Sequence, residues 1–371
     1  MERRASSSAP GKEEELPITE TQVLDALRTI QDPDLHKDIV SLGFVRNVRI
    51  EPDAVRLDIN LTTPACPVKD LLREQAVAAL MKLPGIRTAE VTMTADVRRI
   101  GAPDKTAIQG VRNVIAVGSG KGGVGKSTVA SNLAVALAQT GAAVGLLDAD
   151  IYGPSVPMLL GVQEPLEARG ETILPHRAHG IRFMSMGYLA PGDQPLIWRG
   201  PMAHKALQQC LFGVEWGELD YLVVDMPPGT GDVHLTLVQA MALAGGVIVT
   251  TPQDMGMTIS RKTLRMFQQT RVPILGMIEN MSYYRCPHCG QRDDIFGHGT
   301  TEAVARELGV PYLGAIPLER AIRACADAGT PIVAADPESE VAAIYRGLAG
   351  RLAAQISIRS FENPVVQVVE E

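Results

Sequence analysis

The chain is poor in aromatic side chains, which make up 4% of its 371 residues, and it carries only five cysteines. A small, odd cysteine count in a chain that opens without an apolar leader argues against a disulfide-built scaffold, so a cytoplasmic protein is expected. No apolar run approaches the roughly 18 residues that a spanning helix needs, so no membrane is expected as a partner. Excess positive charge is missing too. Lys and Arg number 35 against 42 Asp and Glu, a net charge of −7, which argues against nucleic acid as a partner. No internal repeat is visible. Residues 1–16, rich in Ser and Glu, read as a disordered tail.

What is present is apolar material, 46% of residues, enough for two packed cores. Residues 17–99 read as a small α/β domain. A helix is expected over Thr21–Ile30 and another over Pro67–Met81, with a strand near Ala89–Met93. Between them Val48, Ile50, Val55, Leu57, Ile59 and Leu61 alternate with polar residues around Pro52-Asp53, the pattern of a hairpin with one buried face. Residues 100–110, with Gly101, Pro103 and Gly110, read as a linker. From 111 to 356, strand-like runs alternate with helical patterns. The strands are expected at Asn113–Val117, Ala143–Leu147, Tyr221–Val224, Val247–Thr250, Ile274–Ile278 and Tyr312–Ile316. Runs apolar on both faces point to the α/β class: a mostly parallel sheet flanked by helices, with ligand at the strands' carboxyl ends. Residues 357–371 read as a C-terminal tail.

The segment Gly120-Lys121-Gly122-Gly123-Val124-Gly125-Lys126-Ser127-Thr128 fits the phosphate-loop pattern G-x-x-x-x-G-K-[ST], set between a strand and a helix. Its glycines let consecutive N–H groups face a phosphate, and the helix N-terminus adds partial positive charge. Lys126 is expected on the β- and γ-phosphates of a nucleotide and the Ser127 hydroxyl in a Mg²⁺ shell. Asp148 and Asp150 close the strand after the first helix, and Asp225 closes the next clear one. A carboxylate there can hold Mg²⁺ through water or orient an attacking water. The turn Asp225-Met226-Pro227-Pro228-Gly229-Thr230-Gly231-Asp232 is rich in backbone donors and suits sensing of a γ-phosphate.

A second lysine, Lys121, follows the loop's first glycine. It reads either as a solvated surface group or as one that crosses a two-fold interface to neutralise a partner's phosphates. The doubled lysine resembles the deviant phosphate loop of the MinD/ParA and nitrogenase-iron-protein class of ATPases, which act as nucleotide-sandwich dimers. That resemblance implies a P-loop NTPase that hydrolyses ATP as a homodimer. Lys121 would be the signature lysine, Asp150 the water-orienting switch residue and Asp225 the second acidic motif, with Lys126 completing the catalytic set.

Cys286-Pro287-His288-Cys289 presents C-x-x-C in a turn, two thiolates aimed at one metal. One pair supplies two ligands where a tetrahedral metal or a cubane cluster takes four. His298 with Asp293 or Asp294 completes a zinc site, or a two-fold dimer brings a second pair across an interface, or the pair serves redox chemistry. Arg285 and His288 are expected to lower the thiol pKa.

The order of these features resembles the Mrp/ApbC family of iron–sulfur cluster carrier ATPases from about Ile18 to Ala354. The motifs are the small N-terminal domain, the doubled-lysine loop, Asp148-Ala149-Asp150-Ile151-Tyr152-Gly153-Pro154-Ser155, the Asp225 turn, Glu279-Asn280-Met281-Ser282 and the C-x-x-C pair. The resemblance implies that Cys286 and Cys289 bind a [4Fe–4S] cluster at the dimer interface, for transfer to apo iron–sulfur proteins from a cluster-assembly scaffold. It also implies that Asn280 reads the adenine edge and that Pro317, in Ile316-Pro317-Leu318, packs on the base. After Thr251-Pro252-Gln253-Asp254, where relatives often place an Asp, this chain has Ile259. Asp32-Pro33-Asp34 and Thr62-Thr63-Pro64-Ala65-Cys66-Pro67 resemble the MIP-eighteen type of small domain from iron–sulfur assembly factors. Pro67 suits the first turn of a helix, which would put the Cys66 thiol at its N-terminus. Cys210 and Cys325 are expected in the core. A positioning ATPase of the MinD/ParA kind without metal, and an ATP-driven electron donor, are the competing functions. The acidic C-terminus lacks the basic amphipathic helix that the first would use on a membrane.

Overall fold

A computed structural model describes residues 18–100, 105–151, 153–189, 200–229, 232–253 and 257–362. Residues 1–16 and 363–371 of the expected tails lie outside these, as do Tyr152, Thr230, Gly231 and Asp254 of the motifs and the side chain of Ile259. The chain divides into two compact units. One holds the residues up to Leu61 together with Val68–Ala95, the other Thr62–Pro67 and everything from Asp96 onward.

In the smaller unit, helix α1 (Glu20–Leu27) starts in a capping box: the Thr19 side chain accepts from the Gln22 N–H, and Gln22 accepts from the Thr19 N–H at 2.9 Å. The short strands β1 (Gln31–Asp32) and β2 (Lys37–Asp38) pair with each other. Strands β3 (Val45–Ile50) and β4 (Ala54–Leu61) form the expected antiparallel hairpin. Helix α2 (Lys69–Leu80) then crosses over to β5 (Thr88–Ala95), which runs parallel to β4. Alternation along β4 buries Val55, Leu57 and Ile59, while Leu72, Ala76 and Leu80 of α2 are buried at helical spacing. Helix α2 has Val68 as its N-cap, so Pro67 precedes the first turn and Cys66 lies ahead of the helix, not at its N-terminus. Pro67 here shapes a turn.

The larger unit runs in chain order through β6 (Val111–Ser119), α3 (Lys126–Gln139), β7 (Val144–Asp148), the one-turn α4 (Val156–Leu159) and a small hairpin of β8 (Glu167–Arg169) and β9 (Thr172–Leu174). It continues with β10 (His176–Ala178), β11 (Ile181–Ser185), α5 (Gly200–Phe212), β12 (Leu219–Asp225), α6 (Asp232–Ala240), β13 (Leu243–Thr250), α7 (Met257–Gln269) and β14 (Ile274–Glu279). A second hairpin, β15 (Tyr284–Arg285) and β16 (Arg292–Asp293), precedes α8 (Thr300–Leu308), β17 (Tyr312–Ala315), α9 (Arg320–Asp327), α10 (Ile332–Ala335) and α11 (Glu340–Glu362). Among the described residues the main sheet has eight strands in the order β10-β11-β7-β12-β6-β13-β14-β17. All neighbours are parallel except β10 with β11, so the α/β reading with a mostly parallel sheet holds.

Period-two alternation splits the strands between two cores. Ile115 and Val117 of β6 with Tyr221 and Val223 of β12 join α3 and α11 on one face, in a cluster with Leu133, Tyr345 and Leu352. Val114, Ala116, Leu222 and Val224 face the other side, with Trp216, Leu207 and Phe267. The segment Thr62–Pro67 belongs to the first core: Ala65 is buried there, Thr62 and Ser357 hydroxyls meet, and the Tyr221 hydroxyl donates to Thr63 at 2.9 Å.

All six expected strands form. Strand β11 is an addition, since Arg182 breaks the apolar run that would announce it. The residues expected as a tail from 357 are helical as far as Glu362, because Ser357 and Ser360 turn inward with Ile356. Cys210 is core, its burial pushing the thiol up to about 12, while Cys325 is half-buried on α9. Tyr345 is fully buried and its hydroxyl makes no hydrogen bond among the described residues. Removing an unsatisfied buried group relieves a desolvation cost, so Tyr345→Phe is expected to leave stability unchanged or raise it by about 1 kcal/mol. Urea denaturation checks this, and a loss of that size would mean the hydroxyl has a partner.

Candidate functional site

Strand β6 enters the phosphate loop and α3 leaves it. Inside the turn the Ser119 hydroxyl donates to the Lys121 carbonyl at 2.9 Å, and the Gly229 N–H donates to the Ser119 carbonyl at 3.2 Å. The loop is thereby tied to the turn that follows β12. Gly125 is the N-cap of α3 with φ +78°, and any Cβ there would collide with the Asn280 amide. Only glycine satisfies both the dihedral and the space. Asn280 uses that closeness: its Nδ2 donates to the Val124 carbonyl at 2.8 Å. Residues Lys121 to Thr128 line a cavity of about 310 Å³ together with Asp150, Gly153, Ser155 and Pro228. Gly120, Asp225, Asn280 and Pro317 do not line it. Pro317 is buried in the turn after β17.

The ends of two neighbouring strands and the first residue of α3 supply the charges. Asp225 of β12 and Asp148 of β7 are register partners, both fully buried. Lys126, buried at the start of α3, makes a short charge-assisted contact with Asp225 Oδ1, and its Nζ lies 3.4 Å from the Ser127 hydroxyl. Burial pushes the Asp225 carboxyl up, with Lys126 drawing it back. The second oxygen, Oδ2, is buried without a hydrogen-bond partner among the described residues.

Asp148 plays a different part. It accepts from the Asp150, Ser155 and Val156 N–H groups at 3.1, 3.0 and 3.1 Å and from the Ser185 hydroxyl at 2.9 Å. Burial and the Asp225 charge still push it up to about 7. Asp148 therefore folds the loop that presents Asp150, whose own Oδ1 accepts from the Gly153 N–H at 3.1 Å. Sequence reasoning reads Asp148 as a carboxylate that holds Mg²⁺ through water or orients a water and misses this loop-folding part, although an acid ending an all-apolar strand is the signal. His234 on α6 is missed as well. It is buried, its Nε2 makes no hydrogen bond among the described residues, and burial with Lys126 nearby pushes it down to about 4.

The thiol pair lies on the β15–β16 hairpin, in the same unit and away from the cavity. The Cys286 N–H donates to the Gln291 carbonyl at 2.9 Å and the Gly290 N–H to the Cys286 carbonyl at 2.8 Å, closing a tight turn with Gly290 at φ +71°. Cys286 is half-exposed and Cys289 exposed. The backbone N–H groups of Cys289 and His288 hold the Cys286 thiol below its usual range. Arg285 does not supply that effect, because Glu340 neutralises its guanidinium in a bidentate pair at 2.5 and 2.9 Å. Among the described residues no group of three His, Cys, Asp or Glu is placed to hold a metal ion. The single-chain zinc site is not built: His298 Nδ1 lies 3.1 Å from the Ser282 hydroxyl, and Asp294 pairs with Arg292 at 2.8 Å.

Residues 110–353 match the family described as NUBPL iron-transfer P-loop NTPase, and residues 20–93 match the iron-sulfur cluster assembly protein family. The chain belongs to the NUBPL-type iron-transfer P-loop NTPases. It is 49% identical over 348 residues to an iron-sulfur cluster carrier protein of Synechocystis sp., covering 92% of this chain and 99% of that one. A protein of the same description from Escherichia coli strain K12 is 43% identical, over 90% and 91% of the two chains. A nucleotide-binding protein solved with ADP, from Archaeoglobus fulgidus, superposes with a TM-score of 0.55 at 38% identity, over 62% of this chain and 90% of that one. The cell division ATPase MinD of Pyrococcus furiosus shares the fold, with a TM-score of 0.50 at 24% identity, over 65% and 98%. No helix among the described residues is long and apolar enough to cross a membrane.

Removing one partner of a buried ion pair strands the other charge, typically at a cost of about 3–5 kcal/mol. Lys126→Ala is expected to destabilise the protein on that scale, and the double variant Lys126→Ala/Asp225→Ala to recover part of the loss. A double-mutant cycle from urea denaturation measures this, and strictly additive losses would show no interaction between the two side chains.

Proposed function

We propose that this chain is an ATP-hydrolysing carrier that holds a [4Fe–4S] cluster between two copies of itself and passes it to apo iron–sulfur proteins, taking it from a cluster-assembly scaffold. The observation that carries the reading is a pair of accessible thiols, one of them acidified, on the same unit as a phosphate loop and without a third ligand among the described residues of their own chain. Two ligands make half a site, and a two-fold axis supplies the other half with the same patch. The names of the relatives support the cargo.

In this reading the loop N–H groups from Lys121 to Thr128 bind the β- and γ-phosphates of ATP, and Lys126 exchanges Asp225 for phosphate oxygen. The Ser127 hydroxyl and the unpartnered Asp225 Oδ2 fit a hydrated Mg²⁺ brought in with the nucleotide. Asp150, held at the cavity wall by its bond from Gly153, orients the attacking water. Lys121, also on that wall, serves the partner's nucleotide across the dimer. The adenine would be read by Asn280 and packed by Pro317.

Lys126→Ala is expected to abolish turnover, and Lys121→Ala to lose hydrolysis while keeping binding within about threefold, since a trans contact acts on the transition state. Equal loss of binding and turnover in Lys121→Ala, measured by nucleotide titration and phosphate release, would make it an ordinary contact within one chain.

For the cargo, anaerobic reconstitution is expected to give about four irons and four sulfides per dimer, as a four-cysteine cubane requires. Cys289→Ala should lose both, and Cys66→Ala should lose neither. Equal iron in wild type and Cys289→Ala sinks the assignment, and one zinc per monomer without sulfide replaces it with a zinc knuckle.

A further inference from the structure

We propose that Glu279 is a positioning residue that ties the Cys286/Cys289 hairpin to the nucleotide loop, so that nucleotide binding alters the thiols through it. The inference rests on the phosphate loop and the thiol pair as the two working sites, and it does not need the cluster to be bound.

Glu279 is the last residue of β14 and is fully buried. Its carboxylate gathers donors from two separate places in the chain. Oε1 accepts from the Ser282 hydroxyl at 2.6 Å and from the Gly299 N–H at 3.3 Å, and Oε2 accepts from the Thr301 N–H at 2.9 Å. Ser282 stands four residues before Cys286, while Gly299 and Thr301 stand just beyond β16 at the start of α8. The whole thiol-bearing excursion from 282 to 299 is therefore fastened at both ends to one carboxylate. His298 reinforces the knot, its Nδ1 lying 3.1 Å from the Ser282 hydroxyl and 3.7 Å from Glu279 Oε1.

The residue after this knot is Asn280. Its N–H donates to the Thr250 carbonyl at 2.8 Å and its Nδ2 to the Val124 carbonyl at 2.8 Å, inside the phosphate loop. A loop that closes on phosphate moves Val124, and Val124 is bonded to the neighbour of the residue that clamps both ends of the hairpin. Burial disfavours the Glu279 charge, but the Ser282 and Thr301 donors outweigh it and hold the carboxyl below its usual range. An ionised carboxylate in a dry site, with donors converging on it, makes a stiff link. Two further contacts, the Leu318 N–H to the Tyr283 carbonyl at 2.7 Å and the Arg285–Glu340 pair, moor the hairpin but do not run to the nucleotide loop.

The test uses the full chain without iron and reads the alkylation rate of Cys286 by iodoacetamide, followed by peptide mass spectrometry, with and without Mg·ATP. In wild type, nucleotide is expected to change that rate by about fivefold or more, a coupling of ordinary allosteric size. In Glu279→Gln, whose amide cannot accept on both sides, the factor should fall to about one, with nucleotide affinity within about threefold of wild type. Ser282→Ala, which frees only the leading end of the hairpin, should give an intermediate factor and serves if Glu279→Gln does not fold. The proposal is overturned if nucleotide leaves the wild-type rate unchanged, or if the variants keep the full wild-type factor. Alkylation needs no cluster, so this result stands apart from the iron and sulfide measurement.

Discussion

The larger unit is organised around one buried ammonium set against buried carboxylates at the carboxyl ends of adjacent parallel strands. Lys126 is fixed by the first turn of α3, Asp225 by β12 and Asp148 by β7, and parallel register brings the two acids side by side. Such a cluster is costly to bury and tolerable only while each member keeps its partners. Asp148 keeps four donors and Asp225 keeps Lys126. The backbone around them answers to that requirement. Three of the four donors on Asp148 come from the loop after β7, which folds back on it, and that fold sets Asp150 at the cavity wall.

This arrangement also explains which parts of the site were legible in sequence. The phosphate loop is local: its glycines, lysine and hydroxyl act through their own backbone and the next helix, so spacing alone announces them. The six main strands were equally plain, since a parallel sheet buried on both faces leaves uninterrupted apolar runs at Ile115, Leu146, Val223 and Ile248. Strand β11 stayed hidden because Arg182 sits within it and bonds the Trp216 carbonyl just ahead of β12. The end of α11 stayed hidden because Ser357 and Ser360 look like surface residues until the helix turns them inward.

The relations between distant residues could not be read from spacing. Nothing in sequence says that Asn280 bonds Val124, 156 positions earlier, or that Arg285 spends its charge on Glu340. The second case reverses an expectation of local chemistry. A basic residue beside Cys286 reads as the cause of an acidic thiol, yet the folded hairpin gives that task to the N–H groups of Cys289 and His288. Charge beside a thiol is portable and can be claimed by any acid within reach, whereas the N–H groups of a C-x-x-C turn are held by the turn itself. The acidity of Cys286 therefore survives exchange of Arg285 or His288 more readily than a change in the shape of the turn.

Glu279 and Asp148 show the same device at two places in the sheet. Each is an acid that ends an apolar strand, each is buried, and each takes donors from a loop that must present something else: Asp150 in one case, the thiol hairpin in the other. A strand end is a fixed point, because the sheet ladder holds its backbone from both sides. A carboxylate there turns a flexible connection into a defined one by collecting its free N–H groups, as a cap does for a helix. The chain thus carries the rigidity of its sheet a few residues into the loops on one side, and there the phosphate cavity and the thiol pair are both found.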